Sequence, residues 1–203
     1  MDAKIIFERL NKLIPDPKSE LEFNNEFELL IAVMLSAQCT DKRVNIITSE
    51  LFKKYKTPMD FASLSQDELL RYISSCNYCN NKAKNIISAC KAIGERFGGK
   101  VPKSHEDLIS LDGVGHKTAN VVQAVAYGQQ AFPVDTHILR VSNRLGIVAT
   151  KNPNECERVL KEVFSGFDYA KMHHLLLLFG RYYCTARTPQ CDGCVLKEFC
   201  KKE

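Results

Sequence analysis

Apolar residues recur at helical spacing along almost the whole chain, and that periodicity restricts the fold more than any other feature. Ile6, Leu10, Leu13 and Ile14 share one face of a first helix, which Pro15 and Pro17 end. Phe27, Leu30, Ile31 and Met34 repeat the spacing. Val44, Ile47 and Leu51 follow, with Asp41 as the expected N-cap. Ser65 and Glu68 have capping-box spacing ahead of Leu69, Leu70 and Ile73. Ile86, Cys90, Ile93 and Phe97 form another stripe, stopped by Gly98-Gly99. Asn152-Pro153 reads as N-cap and first helical turn before Val159, Leu160 and Val163. No stretch alternates convincingly at strand spacing, so the expected fold is all-α. The 203 residues have volume for one large or two small domains. The expected seam is Tyr127 to Phe132, where Gly128, Gln129 and Gln130 interrupt the helical pattern.

Charged and apolar positions alternate over Met1 to Leu10, with no apolar core of a secretion signal. The run Leu175 to Phe179 is far too short to span a bilayer. A cytoplasmic protein without a membrane partner is expected. Its thiols stay reduced, so nine cysteines are not a disulfide framework. Cys184, Cys191, Cys194 and Cys200 are spaced C-x6-C-x2-C-x5-C. Four thiolates that close together can wrap one metal centre, either a tetrahedral zinc or a [4Fe–4S] cluster. Spacing alone does not choose, and unliganded thiols are the plainer alternative. Cys76 and Cys79 form a lone C-x2-C with no second pair nearby. With Cys39, Cys90 and Cys156 they are expected to be packing thiols.

Leu111-Asp112-Gly113-Val114-Gly115-His116-Lys117-Thr118-Ala119 carries the most chemistry. A helix from Ser104 leads in, and one from about Lys117 to Tyr127 leads out. Glycine permits positive φ and close backbone approach. Unpaired N–H groups at the start of the second helix then suit a phosphate. A tight turn between packed helices would use the same residues, so a lone G-x-G is weak. The flanking helices and the following Lys-Thr-Ala strengthen it. The net charge of +4 leans the same way, towards an anionic partner.

The stretch Leu111 to Ala119 matches L-x-G-V-G-x-K-T-A, a pattern of helix-hairpin-helix DNA glycosylases. Val134 to Val141 matches V-D-T-H-x-x-R-V, and Ser36 to Asp41 matches S-A-Q-x-T-D. With the cysteine spacing, these motifs make the chain resemble the endonuclease III family, from about Ile5 to Cys200. The resemblance implies a two-lobed helix-hairpin-helix glycosylase fold. One lobe is a helical barrel domain, residues 21–129, with the hairpin. The other is an iron–sulfur cluster domain, residues 1–20 plus 130–203, with Asp135 at the cleft between them. It also implies iron over zinc, as a [4Fe–4S] cluster on Cys184, Cys191, Cys194 and Cys200.

The implied activity is base excision repair by one enzyme with two linked steps. A DNA N-glycosylase removes an oxidised pyrimidine through a lysine Schiff base, and an abasic-site lyase then cuts the strand by β-elimination. The partner would be double-stranded DNA with damaged pyrimidines or abasic sites, met by a monomer in the cytoplasm, on the nucleoid if bacterial. Lys117 matches the family nucleophile. Lysine suits Schiff-base chemistry, but only as a neutral amine. An ordinary lysine is neutral about once in 2,500 at pH 7, a cost of about 4.6 kcal/mol. The positive end of a helix dipole would reduce that cost. Asp135 matches the carboxylate that assists base departure, and it also suits a helix N-cap.

A stacked base must be flipped out to react. By resemblance Gln38 fills the gap in the duplex, and Tyr78 stands where the family pattern has a second intercalating Leu. Gly113, Val114, Gly115 and His116 would grip the DNA backbone. His116 replaces a more usual Arg, and Arg187 is the one basic residue between Cys184 and Cys191. Two other readings compete. Mismatch-specific relatives lack the hairpin lysine, and a non-catalytic module would only hold phosphates.

Overall fold

The computed structural model describes residues 2–201, and every regular element among them is helical. Two compact units emerge: Glu20–Gln129, and Met1–Ser19 joined with Gln130–Glu203. Helix α1 spans Ala3–Leu13, with Asp2 accepting from the Lys4 and Ile5 amides as its N-cap. It belongs to the discontinuous unit.

The continuous unit holds α2 (Glu26–Ser36), α3 (Asp41–Lys54), α4 (Pro58–Ala62), α5 (Gln66–Ile73), α6 (Cys79–Phe97), α7 (His105–Ile109) and α8 (His116–Tyr127). Every residue of α2 from Phe27 to Leu35 is buried, so α2 has no solvent face and serves as the core helix. Glu28 is tolerated there because its carboxylate accepts from the Asn24 amide and side chain at 2.7 and 2.8 Å. Around α2 the apolar stripes converge: Val44 and Leu51 of α3, Phe61 of α4, Ile73 of α5, Ile86 and Ile93 of α6, Val122 of α8. Burying each such side chain contributes about 1.5–3 kcal/mol.

The helix ends follow local chemistry. Capping boxes start α4 at Thr57 and α5 at Ser65, and Gly98 ends α6 in the left-handed conformation. One expected cap is displaced: Thr40, not Asp41, caps α3. Thr40 has extended backbone and its hydroxyl accepts from the Arg43 amide at 3.3 Å. Asp41 is the first helical residue, where its charge still favours the positive helix end.

The discontinuous unit adds α9 (Thr136–Arg144), α10 (Pro153–Val163) and α11 (Tyr169–Leu178). Asn152 caps α10 and Pro153 opens it. Ile6 and Leu10 of α1 pack with Ile138, Val141, Leu160, Leu175 and Leu176 in a second core. Helix α11 runs directly into a wider π-helical turn, Phe179–Tyr183, which delivers the chain to Cys184. No helix among the described residues is long and apolar enough to cross a membrane.

Candidate functional site

In the continuous unit, a tight turn joins α7 to α8. The Val114 amide donates to Leu111 O at 3.1 Å, and Gly113 sits at φ +77°. That position needs a residue without Cβ. A methyl there would stand 2.8 Å from Asn85 Cβ, inside any tolerable contact. Val114 is buried and anchors the turn to the core. Gly115 is the N-cap of α8 and offers no side chain, so the first amides of α8 are left for an outside acceptor. Open space surrounds its missing Cβ, and its φ is −93°. Gly113→Ala is therefore expected to cost about 1–3 kcal/mol in urea unfolding. Gly115→Ala should cost less than about 1 kcal/mol, from the poorer cap alone.

Lys117 lies in the first turn of α8, exposed. Its amine has no hydrogen-bond or ion-pair partner among the described residues. His116 is exposed too, but its ring packs on His105, centroids 4.7 Å apart, and contacts Asn120 Nδ2 at 3.1 Å.

Helix α6 buttresses two more predicted residues. Gln38 and Tyr78 are the non-glycine residues at positive φ among those described, at +54° and +57°. Such backbone stores strain and persists where the surroundings enforce it. The enforcement is visible. Asn77 Nδ2 donates to Gln38 O at 2.8 Å, and buried Lys82 donates to Leu35 O and Ala37 O, both at 2.7 Å. Tyr78 forms the N-cap of α6 and is 64% exposed. Lys82 and Asn85 are three apart on α6, so one helix face supports both the Gln38 loop and the Gly113 turn.

In the discontinuous unit, Asp135 caps α9 through a 2.8 Å bond from the Ile138 amide to Oδ1. The carboxylate is half-buried, and its other oxygen accepts nothing among the described residues. Further along α9, Arg140 donates to Gly180 O at 2.6 Å and to Cys184 O at 3.1 Å. The π-turn frees the Gly180 carbonyl, because the Cys184 amide bonds five residues back to Phe179 O instead. Burial lowers the pKa of the Arg140 guanidinium, with Arg144 adding to this and Cys184 and Asp135 opposing it. Arg144 donates to Cys184 Sγ at 3.2 Å and to Thr185 O at 2.7 Å. Arg140 is the Arg of the Val134–Val141 motif, but the sequence assigns no role to it or to Arg144.

Cys184, Cys191, Cys194 and Cys200 all line one cavity of about 260 Å³, closed by Arg144, Phe179, Tyr183 and Leu196. Four thiols lining one cavity have the donor chemistry of an iron–sulfur cluster. Burial raises the Cys194 pKa, a hydrogen bond from the Leu196 backbone opposes this, and the other three cysteines add to the rise. Gathering four thiolates is uphill without a cationic centre. The residues present therefore fit a [4Fe–4S] group. Arg187 is exposed in the loop between Cys184 and Cys191.

Of the remaining thiols, Cys90 and Cys156 are fully buried packing residues, and burial pushes Cys90 up to about 12. Cys39 and Cys79 are half-buried and pack against the edge of the first core, as expected of packing thiols. Cys39 Sγ touches Cys76 Sγ at 3.6 Å, a contact that no local spacing reveals.

Residues 31–165 match the family model of the HhH-GPD superfamily base excision DNA repair proteins. Residues 184–200 match the iron–sulfur binding domain of endonuclease III. The chain is 44% identical to endonuclease III of Rickettsia felis, covering 99% of this chain and 96% of that one. It is 45% identical to endonuclease III of Bacillus subtilis, covering 96% and 90%. A solved structure of a trapped endonuclease III–DNA covalent intermediate superposes with a TM-score of 0.93 at 43% identity, covering 98% of this chain and 93% of that one.

Proposed function

The chain belongs to the endonuclease III family of the HhH-GPD superfamily, and from that premise we propose which residues carry its chemistry and on what substrate. The protein is a DNA N-glycosylase with abasic-site lyase activity, working in base excision repair on DNA and carrying a [4Fe–4S] cluster. The substrate we propose is a duplex with an oxidised pyrimidine or an abasic site, bound by one copy of the chain in the cytoplasm. The observation that carries the residue assignment is an unpartnered lysine in the first turn of α8, directly after the Gly113–Gly115 turn.

Lys117 acts as nucleophile. Its neutral amine bonds to the sugar C1′ while the glycosidic bond breaks and the base leaves with a proton. Ring opening gives an iminium, the Schiff base. Loss of a C2′ proton then expels the 3′ phosphate and cuts the strand, and water releases the lysine. Asp135 opposes the positive charge that grows on the sugar as the base departs. Its N-cap bond fixes the carboxylate without consuming its second oxygen.

The amides of His116 to Thr118 and the bare backbone of Gly115 would receive a DNA phosphate. Gly115→Ala is expected to weaken DNA binding more than it weakens the fold, since a methyl would occupy the approach. Gln38 and Tyr78 would enter the duplex, where an aromatic ring can wedge between bases as an aliphatic one does. Arg187 would add a phosphate contact beside the cluster. Cys184, Cys191, Cys194 and Cys200 would hold the cluster, which when bound supplies the crosslink that residues 184–200 lack. Arg140 and Arg144 orient that loop through its carbonyls.

Asp135→Asn tests the assignment on a duplex with one oxidised pyrimidine. Asn caps helices as well as Asp, so stability should stay within about 0.5 kcal/mol. Excision should fall about a hundredfold or more, the scale of losing one charge-stabilising group. Asp135→Ala should lose the cap as well, about 1 kcal/mol. An Asn variant that excises at the wild-type rate would reduce Asp135 to a cap.

A further inference from the structure

The contact between Cys39 and Cys76 serves no step described above. The two thiols lie 37 positions apart in sequence, yet their sulfurs meet at 3.6 Å. Cys39 is half-exposed and Cys76 is buried behind it. The pair sits at the base of the two strained loops: Cys39 follows Gln38, and Cys76 precedes Tyr78 by two residues. Asn77, between Cys76 and Tyr78, already bonds to Gln38 O. An accessible thiol in contact with a sheltered one is the arrangement of a redox-sensitive pair.

We propose that Cys39 and Cys76 are a reversible oxidation site, at which peroxide forms a disulfide that crosslinks the Gln38 loop to the Tyr78 loop. Cys39 meets the oxidant first. Its thiolate sulfur bonds to one peroxide oxygen, the O–O bond breaks, and hydroxide leaves as water, giving a sulfenic acid. Cys76 Sγ then attacks that sulfur, its thiol proton goes to the departing oxygen, and the S–O bond breaks with release of a second water. Two thiols and one hydrogen peroxide become one disulfide and two waters. A dithiol reductant reverses the bond by exchange. Burial and the Cys39 contact push the Cys76 thiol up to about 11, which keeps it protonated until it resolves the intermediate. The Lys82 charge opposes that rise.

Closing the sulfurs from 3.6 Å to about 2.05 Å displaces both loops, and the bond then fixes their separation. The functional consequence rests on the proposed entry of Gln38 and Tyr78 into DNA. Loops tied together adapt less readily to a duplex, so oxidised protein should bind abasic-site DNA about fivefold more weakly.

The test uses cluster-loaded full-length protein treated with hydrogen peroxide, scored while its iron–sulfur absorbance is intact. Non-reducing peptide mapping should find the Cys39 peptide joined to the Cys76 peptide. The link should vanish with dithiothreitol and be absent from Cys39→Ser and Cys76→Ala. The Kd for abasic-site duplex should rise about fivefold in wild type, recover on reduction and stay flat in Cys39→Ser. No linked peptide, or a Cys76–Cys79 link instead, overturns the site. A linked protein that binds as the reduced one does overturns its regulatory effect. Reduced Gln38→Ala and Tyr78→Ala proteins separate the premises. If they bind with wild-type affinity, the DNA role of the loops fails while the linked peptide stands or falls alone.

Discussion

Lys117→Ala is expected to give no covalent complex when borohydride is added with abasic DNA. Borohydride reduces an iminium to a stable amine, so wild type is trapped on the DNA and a protein without the amine is not. Strand cleavage should fall by about a thousandfold or more, equivalent to about 4 kcal/mol of barrier. The variant is clean. Lys117 is exposed, unpartnered and within a helix, where alanine is the best former, so stability should move by less than about 0.5 kcal/mol. DNA binding should persist, because the turn and its amides are untouched. A trapped complex surviving in Lys117→Ala would move the nucleophile elsewhere. A wild type that never traps would overturn the Schiff-base step.

Cys194→Ser should have the largest effect on folding. Between Cys184 and Cys200 only Leu196 is buried, so the segment has almost no core of its own. For such a segment the energy of metal binding is the energy of folding. Loss of one thiolate ligand should therefore strip the iron and release the loop, opening Arg187 and Lys197 to trypsin. The damage should spread, since Arg144 holds Cys184 and Thr185, and Arg9 donates to Val195 O at 2.9 Å. A destabilisation of at least about 3 kcal/mol is expected, or about 6–12 °C in Tm for a chain of this size. Cys76→Ala is the control and should keep its iron. Full iron content in Cys194→Ser would remove that cysteine from the ligand set.

The helices were legible because each writes its own face into the sequence at a short, fixed repeat. Ser65 with Glu68, Asn152 with Pro153, and Gly98 marked ends that the structure bears out. Thr40 and Asp41 are adjacent cap formers, and only the backbone bend decides between them. Long-range contacts leave no such mark. Cys39 and Cys76 meet because α6 packs beside the end of α2, which no spacing encodes. The role of Lys82 was equally hidden, since a lysine in a polar stretch reads as solvated until its ammonium is found on two carbonyls. The left-handed backbone of Gln38 and Tyr78 falls on residue types that do not announce it.

The discontinuous unit imposes an order on biosynthesis. Residues 20–129 contain every partner their core requires, so that unit can close on the ribosome as soon as it emerges. Helix α1 is made first but cannot finish. Ile6 and Leu10 wait for the helices after residue 130, and Arg9 waits for Val195 and Glu198, 186 positions or more downstream. Until those partners are made, α1 carries an unsatisfied apolar stripe. Chaperone contact with α1 should thus outlast contact with the middle of the chain, ending when the last cysteines arrive and iron is inserted.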